Sequence, residues 1–285
     1  MKPKIELLFT LDEGYIRPLK VALLSIYENN PYQSFRIWLV HERISSESLA
    51  SLRVFAEDLA FEFQVVKVDG SNWESAPTVA RYPKEMYFRL LAGEILPEEI
   101  TKVLYLDPDI LVINSLEELW NLDIENYLIA AATHIGLLDV ATPLNKVRLD
   151  LDHAYYNSGI MLLNLEQARE KVKWTDISQV IQKYNHYLLL PDQDILNYLY
   201  GKYAITIPEE KWNYDARMYT KYLARSLNKK DIHWVMDNTS ILHFCGKPKP
   251  WDKKHDNRFT ALYASYQKRA ELLEERIQKM VEKEK

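Results

Sequence analysis

The stretch KVLYLDPDILV, residues 102–112, places two aspartates between two apolar runs. The run before Asp107 predicts a buried strand over residues 102–106. A residue that precedes proline favours an extended backbone, which suits Asp107 at the end of that strand. Asp107 and Asp109 are two positions apart, so on an extended backbone their carboxylates point to the same side and can share one divalent cation. Acidic turns that bind nothing have the same pattern, so other residues must decide between the two interpretations.

Short apolar runs and helix-like segments alternate on both sides of this stretch. Strands separated by helices of this length form βαβ units, which build a mostly parallel sheet. The sequence therefore predicts an α/β fold whose ligand site lies at the carboxyl ends of the strands. Strands are predicted at 5–11, 35–40, 61–68, 102–106 and 127–132, and helices at 17–27, 46–59 and 85–96.

The second half of the chain is less regular. We predict a turn entering a strand at 155–165, a capped helix at 191–200 and a late buried strand at 240–244. No internal repeat or low-complexity linker divides the chain. We therefore expect one domain over residues 1–256, followed by a helical tail over residues 257–285.

Apolar residues of the tail recur at alternating steps of four and three, as in a heptad repeat. Three roles suit this stripe: packing on the protein's own domain, a homodimer interface, and docking on a membrane. Basic residues from Lys268 onward are nearly matched by glutamates, which argues against a polybasic lipid anchor. The stripe consists of Phe259, Tyr263, Tyr266, Ala270, Leu273, Ile277 and Met280.

The composition is that of a globular protein with a sizeable core. Hydrophobic residues make up 47% and charged residues 27% of the 285 positions. The net charge of -5 gives no general attraction for nucleic acid, so we expect no nucleic-acid partner. The single cysteine, Cys245, excludes an intrachain disulfide and suits a cytoplasmic protein. The first residues do not resemble a signal peptide, and no apolar run is long enough for a membrane span.

Polar residues next to other strands are candidates to complete a site with the aspartates. His243, on the late strand, is either a core histidine or a metal ligand. Gly246 permits a close backbone approach, and Lys249 can meet a phosphate as a point charge. After the first strand, Asp12 and Tyr15 either contact a nucleotide base or have local capping roles at the protein surface.

Amide and carboxylate groups suited to sugar hydroxyls occur at Asn157, Asp192 and Gln193, although Asp192 could equally be a helix N-cap. Other common chemistries lack their motifs. The sequence has no glycine-rich phosphate loop, no Cys/His zinc spacing and no Gly-x-Ser-x-Gly turn. Cys245 has no evident partner, which makes it a poor candidate for a nucleophile.

Six stretches, taken in order, resemble one family of retaining glycosyltransferases. This is glycosyltransferase family 8, which includes glycogenin-like enzymes and bacterial lipooligosaccharide galactosyltransferases. Six blocks in family order are far more specific than the aspartate pair alone. They are FTLDEGY at 9–15, YFRLLAGEIL at 87–96, KVLYLDPDILV at 102–112, YYNSGIMLLNL at 155–165, DQDILN at 192–197 and HFCGKPKPW at 243–251.

The resemblance implies a single-domain, Rossmann-like nucleotide-sugar fold of the GT-A type. It implies that Asp107, Asp109 and His243 bind Mn²⁺, or Mg²⁺ in its place, and that the metal holds the diphosphate of a UDP-sugar. The implied reaction is retaining transfer of glucose or galactose from the UDP-sugar to a glycan, lipid-linked or protein acceptor. Two positions depart from the family pattern: Gly14 removes a contact with uridine or ribose, and Pro108 lacks the N–H of the usual small residue.

The resemblance also implies the remaining donor contacts. Uridine would lie near the first strand, the donor sugar near Arg89 and Asp192, and the diphosphate near Gly246 and Lys249. The catalytic centre would consist of Gln193, Asp192 and Asn157. The full donor site would be Leu11, Asp12, Tyr15, Arg89, Asp107, Pro108, Asp109, Asn157, Asp192, Gln193, His243, Gly246 and Lys249.

The predicted stereochemistry is retention. An inverting transferase needs a carboxylate base on the face opposite the leaving group. By the resemblance, the residue nearest that face is Gln193, an amide that cannot act as a base. Front-face substitution is therefore expected, while the flanking Asp192 and Asp194 leave a covalent two-step route open.

Two other functions are compatible with the same residues. A nucleotidyltransferase or sugar-phosphate hydrolase could use the aspartates, but the sequence lacks an evident basic triphosphate loop. A silent sugar- or nucleotide-binding module could keep the site without turnover. The segment 212–238, rich in Tyr, Trp and Lys, is predicted to shape the acceptor side. We expect a cytoplasmic protein with at most a peripheral contact at the inner face of the membrane.

Overall fold

The computed structural model describes residues 3–68, 85–133, 148–184 and 188–283. Within these residues, seven strands form a central sheet and three short strands form a second one. The central sheet consists of β1 (Ile5–Thr10), β2 (Phe35–His41), β3 (Glu62–Lys67), β4 (Lys102–Leu106), β6 (Ile129–Thr133), β7 (Tyr156–Asn164) and β8 (Ala204–Ile207). The second sheet consists of β5 (Ile110–Val112), β9 (Tyr214–Asp215) and β10 (Ile241–His243).

The strand order in the central sheet is β3-β2-β1-β4-β7-β6-β8. Neighbouring strands are parallel except where β7 pairs with β4 and β6. The prediction of an α/β fold with a mostly parallel sheet is confirmed. The reversed direction of β7 was not predicted, because a strand that is buried on both faces has the same apolar pattern in either direction.

Helices cover both faces of the central sheet. Side chains of β4 alternate between the two cores, with Leu104 and Leu106 on one side and Val103 and Tyr105 on the other. The helices are α1 (Ile16–Asn29), α2 (Ser46–Asp58), α3 (Glu85–Phe88), α4 (Ala92–Ile95), α5 (Glu117–Trp120), α6 (Leu165–Lys171), α7 (Trp174–Tyr184), α8 (Pro191–Ile195), α9 (Glu209–Trp212), α10 (Tyr219–Arg225), α11 (Ile232–Asn238) and α12 (Thr260–Lys283).

The helix predicted over residues 85–96 is interrupted between α3 and α4. In the intervening turn, the N–H groups of Leu90 and Leu91 each bond to a carbonyl three residues earlier. Bonds of this short range end one helix before the next begins. The turn carries Arg89, whose side chain reaches Asp107 after β4.

The tail helix α12 packs on the molecule's own core, against α1 and α2. Lys20 of α1, whose side chain is 5% exposed, forms an ion pair with Glu274 of α12. The amide of Asn29 donates a hydrogen bond of 2.9 Å to the hydroxyl of Tyr266. None of the described helices is both long and apolar enough to cross a membrane. The buried residues of α12 are Tyr263, Tyr266, Ala270 and Ile277.

Candidate functional site

An open cleft of about 360 Å³ lies at the carboxyl end of β4. The amide nitrogen of Asp107 donates 2.8 Å to the carbonyl of Gly159, so β7 forms one wall of the cleft. The cleft is lined by Arg89, Asp107, Asp109, Asn157, Ser158, Gly159, Leu190, Asp192, Gln193, Arg217, His243, Cys245, Gly246 and Lys249. Most of the residues predicted for the donor site are among them, whereas Leu11, Asp12, Tyr15 and Pro108 are not.

Asp107, Asp109 and His243 converge in this cleft. The aspartates link β4 to β5, and His243 ends β10, which pairs with β5. His243 Nε2 lies 3.7 Å from Oδ2 of Asp107 and 3.4 Å from Oδ1 of Asp109. One ligand atom from each of the three residues lies within 4.8 Å of the others. Two carboxylate oxygens and one imidazole nitrogen form a donor set suited to a divalent cation.

The imidazole of His243 is oriented by two asparagines. Its Nδ1 lies 2.8 Å from Oδ1 of Asn213 and donates to it, so Nε2 is the nitrogen that faces the carboxylates. Asn213 Nδ2 in turn donates 2.9 Å to Oδ1 of Asn157, which also accepts the N–H of Gly159. These bonds fix the amide of Asn213, a residue that the sequence analysis did not identify.

Gly159 is required by the narrow space beside the three converging residues. A Cβ atom at this position would lie 2.4 Å from Cε1 of His243 and 2.7 Å from Oδ2 of Asp107. Any side chain would therefore displace the imidazole or the carboxylate. The stretch that begins with Asn157, predicted to contact sugar hydroxyls, thus also contains a glycine with a steric role.

Arg89 and Lys249 place positive charge next to the two aspartates. Arg89 Nη1 donates 3.0 Å to Oδ1 of Asp107 and lies 3.5 Å from Oδ2 of Asp192. Lys249 Nζ donates to Oδ2 of Asp109 and, at 3.1 Å, to the carbonyl of Phe244.

These neighbours shift the pKa values of the two carboxyl groups in opposite directions. Burial raises the pKa of Asp109, but His243 and Lys249 outweigh burial and hold that pKa well below its usual range. At Asp107 burial has the larger effect, and the pKa is raised despite Arg89. Burial lowers the pKa of His243, while Cys245 and Asp109 raise it well above its ordinary value.

Asp192 and Gln193 lie in the first turn of α8 and meet β7 at Ser158. Oδ2 of Asp192 accepts from Oγ of Ser158 at 3.1 Å, and Oε1 of Gln193 accepts from the Ser158 N–H at 3.2 Å. The N-cap of α8 is Leu190, without a side-chain hydrogen bond, so the capping role considered for Asp192 is wrong. Asp192 instead faces the cleft.

Asp194 points away from the cleft and is fully buried. Its carboxylate accepts hydrogen bonds from two nitrogens of Arg148 and from the hydroxyl of Tyr155. It also accepts from the N–H groups of Leu189 and Leu190, which precede α8. Asp194 therefore anchors the start of the helix that carries Asp192 and Gln193.

Asp12 and Tyr15 follow β1. Oδ1 of Asp12 accepts the N–H of Gly14 at 2.8 Å, which is the capping bond considered for this residue. Tyr15 packs edge-on against Trp251, with ring centroids 5.9 Å apart, and burial raises its pKa. Leu11 is buried behind them.

Arg217 is a second cleft residue that the sequence analysis did not single out. It follows β9, in the same segment 212–238 that supplies Asn213 and that was predicted to shape the acceptor side. Gly246 has a φ of 71°, and a Cβ atom there would lie 2.4 Å from Nη1 of Arg217. The glycine thus meets both a backbone and a steric requirement.

The protein has a GT-A-like α/β fold with an Asp-x-Asp pair after its central strand β4, and the family model that its sequence matches places it among the glycosyltransferases. A family model described as glycosyl transferase family 8 matches residues 6–255. The chain belongs to glycosyl transferase family 8, as its sequence motifs predicted.

Individual relatives agree with this assignment. General stress protein A of Bacillus subtilis (strain 168) is 27% identical over 262 residues, which cover 90% of each chain. A lipopolysaccharide 1,2-glucosyltransferase of Escherichia coli is 26% identical over 247 residues, 85% of this chain and 71% of that one. The crystal structure of the galactosyltransferase LgtC with donor and acceptor sugar analogues has a TM-score of 0.78 and 24% identity. The matched region covers 92% of this chain and 95% of LgtC, which shows that the two proteins have similar folds.

Proposed function

We propose that the protein is a metal-dependent, retaining transferase that moves a hexose from a UDP-sugar to a glycan, lipid-linked or protein acceptor. The observation that carries this proposal is the convergence of Asp107, Asp109 and His243 in a cleft that also holds Lys249. Relatives named as lipopolysaccharide glucosyltransferases and a galactosyltransferase support glucose or galactose as the transferred sugar.

The three converging residues fit a divalent cation. Their donor atoms are two carboxylate oxygens and an imidazole nitrogen, and Asn213 holds that imidazole with Nε2 towards the carboxylates. Mn²⁺ accepts this mixture of donors, and Mg²⁺ is the alternative. When bound, the cation supplies positive charge that favours departure of the UDP diphosphate.

The donor lies, in this proposal, along the cleft and towards β1. Lys249 Nζ, close to Asp109, would also neutralise charge on the leaving diphosphate, an interaction that is stronger in the transition state than in the ground state. Arg89 and Asp192 would hold the sugar, and Asn157 and Gln193 would line the reacting centre. Uridine would contact Leu11, Asp12 and Tyr15, while Gly246 and the Pro108 carbonyl would approach the diphosphate.

The proposed route is front-face substitution, and the arrangement of α8 removes Asp194 as the nucleophile of a two-step alternative. Asp194 is fully buried and accepts five hydrogen bonds, so Asp192 is the flanking carboxylate that faces the cleft. The acceptor hydroxyl oxygen would bond to the anomeric carbon as the bond to the UDP oxygen breaks. Its proton would pass to the departing phosphate oxygen, and Gln193 would position the groups without taking the proton.

A screen of UDP-sugars with Mn²⁺ tests this proposal. We expect UDP release from UDP-glucose or UDP-galactose without acceptor, faster release with a suitable glycan, and loss of both in EDTA. Tight UDP binding without release from any UDP-sugar would instead favour a silent binding module. Release that is unaffected by EDTA would contradict the metal requirement.

A further inference from the structure

Arg217 has a guanidinium group that is fixed on one side and open on the other. Its Nε and Nη2 donate to the two carboxylate oxygens of Asp215, at 3.0 and 2.7 Å. Asp215 is buried, so this two-point bond sets the plane of the guanidinium. Within the described part of the chain, the remaining nitrogen Nη1 donates no hydrogen bond, and 46% of the side chain is exposed.

The open nitrogen faces the cleft across Gly246. A Cβ atom at Gly246 would lie 2.4 Å from Nη1, so only the missing side chain leaves this nitrogen accessible. Arg217 and Gly246 both line the cleft. The geometry therefore keeps a rigid, positively charged donor at the wall formed by residues 243–249.

The other arginine and the lysine that line the cleft donate to carboxylates within it. Arg89 and Lys249 donate to Asp107 and Asp109, the carboxylates at the centre of the site. Among the described residues, Nη1 of Arg217 has no such partner, although the guanidinium carries a full charge. An arginine N–H of this kind is suited to a phosphate or carboxylate oxygen.

We propose that Nη1 of Arg217 binds an anionic oxygen of a substrate and so determines specificity. The oxygen belongs to a phosphate group, either in the donor diphosphate or on the acceptor. This inference rests on the proposed transferase function, since it assumes that both substrates enter this cleft.

The variants Arg217→Gln and Arg217→Lys test the proposal, with Arg276→Gln as the control. Arg276 lies on α12, is largely exposed, and pairs with Asp58 away from the cleft. In the donor arm, UDP and uridine are titrated with Mn²⁺ present. If Arg217 binds the diphosphate, Arg217→Gln weakens UDP about tenfold or more and leaves uridine unchanged, because a hydrogen bond to a charged group is lost.

In the acceptor arm, galactose and galactose 6-phosphate are compared as acceptors by the mass of their products. If Arg217 binds an acceptor anion, Arg217→Gln lowers kcat/KM for the phosphorylated sugar about tenfold or more, without changing that for galactose. Arg217→Lys keeps the charge but loses the planar guanidinium. Its affinity or kcat/KM should therefore lie between those of the wild type and Arg217→Gln.

Unchanged UDP affinity, together with an unchanged ratio of the two acceptors or no use of the phosphorylated one, would overturn the proposal. Equal weakening of charged and neutral ligands would also overturn it, since that result indicates a structural role. UDP release by the wild type is recorded separately, so failure of the transferase function is distinguished from failure of this inference.

Discussion

At the scale of single residues, the orientation of His243 depends on contacts between distant segments. Asn213, which follows α9, accepts a hydrogen bond from the imidazole. Its amide donates to Asn157 of β7, which also accepts the N–H of Gly159. Partners of this kind orient a metal-binding histidine and raise its affinity for the metal. No sequence spacing indicates them, because the three segments meet only in the fold.

Replacing Asn213 by Leu should weaken Mn²⁺ binding by about 10- to 100-fold, since His243 Nδ1 loses its acceptor. The measurement is the free Mn²⁺ signal in electron paramagnetic resonance during titration of the protein. Asn213→Asp keeps an acceptor oxygen and should retain more affinity than Asn213→Leu. Unchanged affinity in a normally folded Asn213→Leu protein would show that the asparagine does not position the ligand.

The side-chain amide of Gln193 is the basis for a prediction about the stereochemistry of sugar transfer. With no carboxylate base at this position, we expect an α-linked product from an α-linked UDP-hexose. Proton NMR of the anomeric coupling in the product, read before mutarotation where the acceptor allows it, provides the measurement. A β-linked product would rule out both retaining routes and direct attention to another carboxylate.

Glu209 at the start of α9 should make stability depend on pH. Burial raises its pKa to about 7, from an ordinary value of 4.5. The folded protein therefore keeps a proton that the unfolded chain releases, so this stabilisation is full below pH 4.5 and is lost as pH rises through 7. Glu209→Gln lacks this titrating carboxyl group. We therefore expect its free energy of unfolding, relative to that of the wild type, to rise by up to about 3 kcal/mol between pH 5 and pH 8.

Denaturant unfolding at both pH values measures this difference. Glu166→Gln, at an exposed position of α6, is the matched control and should show no comparable change. A Glu209→Gln protein whose stability relative to wild type is the same at pH 5 and pH 8 would refute the assignment.

At the scale of elements, α12 contributes to the core although the proposed domain boundary lies just before it. Ala270 and Ile277 are buried, and Glu274 pairs with the nearly buried Lys20 of α1. The helix is thus a structural support for α1, which follows the first candidate donor residues. None of its residues lines the cleft described above.

Deleting residues 268–285 should destabilise the protein while leaving its chemistry intact. The deletion removes the apolar burial of Ala270 and Ile277 and the ion pair between Glu274 and Lys20, and it exposes the surface of α1 beneath them to water. We expect a lower Tm, but UDP release per folded molecule within about twofold of wild type at 20 °C, where the truncated chain is still folded.

Ile277→Ala in the full-length chain is the matched comparison, and it should lower Tm by less than the deletion because it removes only part of the same buried apolar surface. Complete loss of hydrolysis in a truncated protein that is still folded would contradict the supporting role of α12.

At the scale of the whole molecule, features that contiguous residues encode could be predicted from the sequence, whereas features that depend on contacts between distant segments could not. The strand 102–106 and the aspartates after it are contiguous, so their pattern was sufficient to predict both the strand and its acidic end. The strands β5, β9 and β10 have only two or three residues each, too few to show an alternating hydrophobic pattern. Two of them, β5 and β9, were not predicted. Their sheet nevertheless brings His243 to the aspartates.

The candidate site was predictable only as far as its motifs reach. Arg89 belongs to a family-like block, yet its position in a turn between two helices depends on packing rather than on helical period. Asn213 and Arg217 lie in a segment that was expected at the acceptor side, but neither residue type is distinctive in sequence. Contacts between segments distant in the chain account for these omissions.

Calorimetric titration of UDP into wild-type protein and Asp109→Asn, each with Mn²⁺ and then with EDTA, tests the central claim most directly. The wild type should bind UDP more than tenfold more tightly with Mn²⁺ than without it, because in the proposed site a cation held by Asp107, Asp109 and His243 would attract the diphosphate. Asp109→Asn should fold normally and bind UDP weakly in both conditions. Equal UDP affinity in the two proteins with Mn²⁺ present would contradict a metal-bridged donor site at these residues.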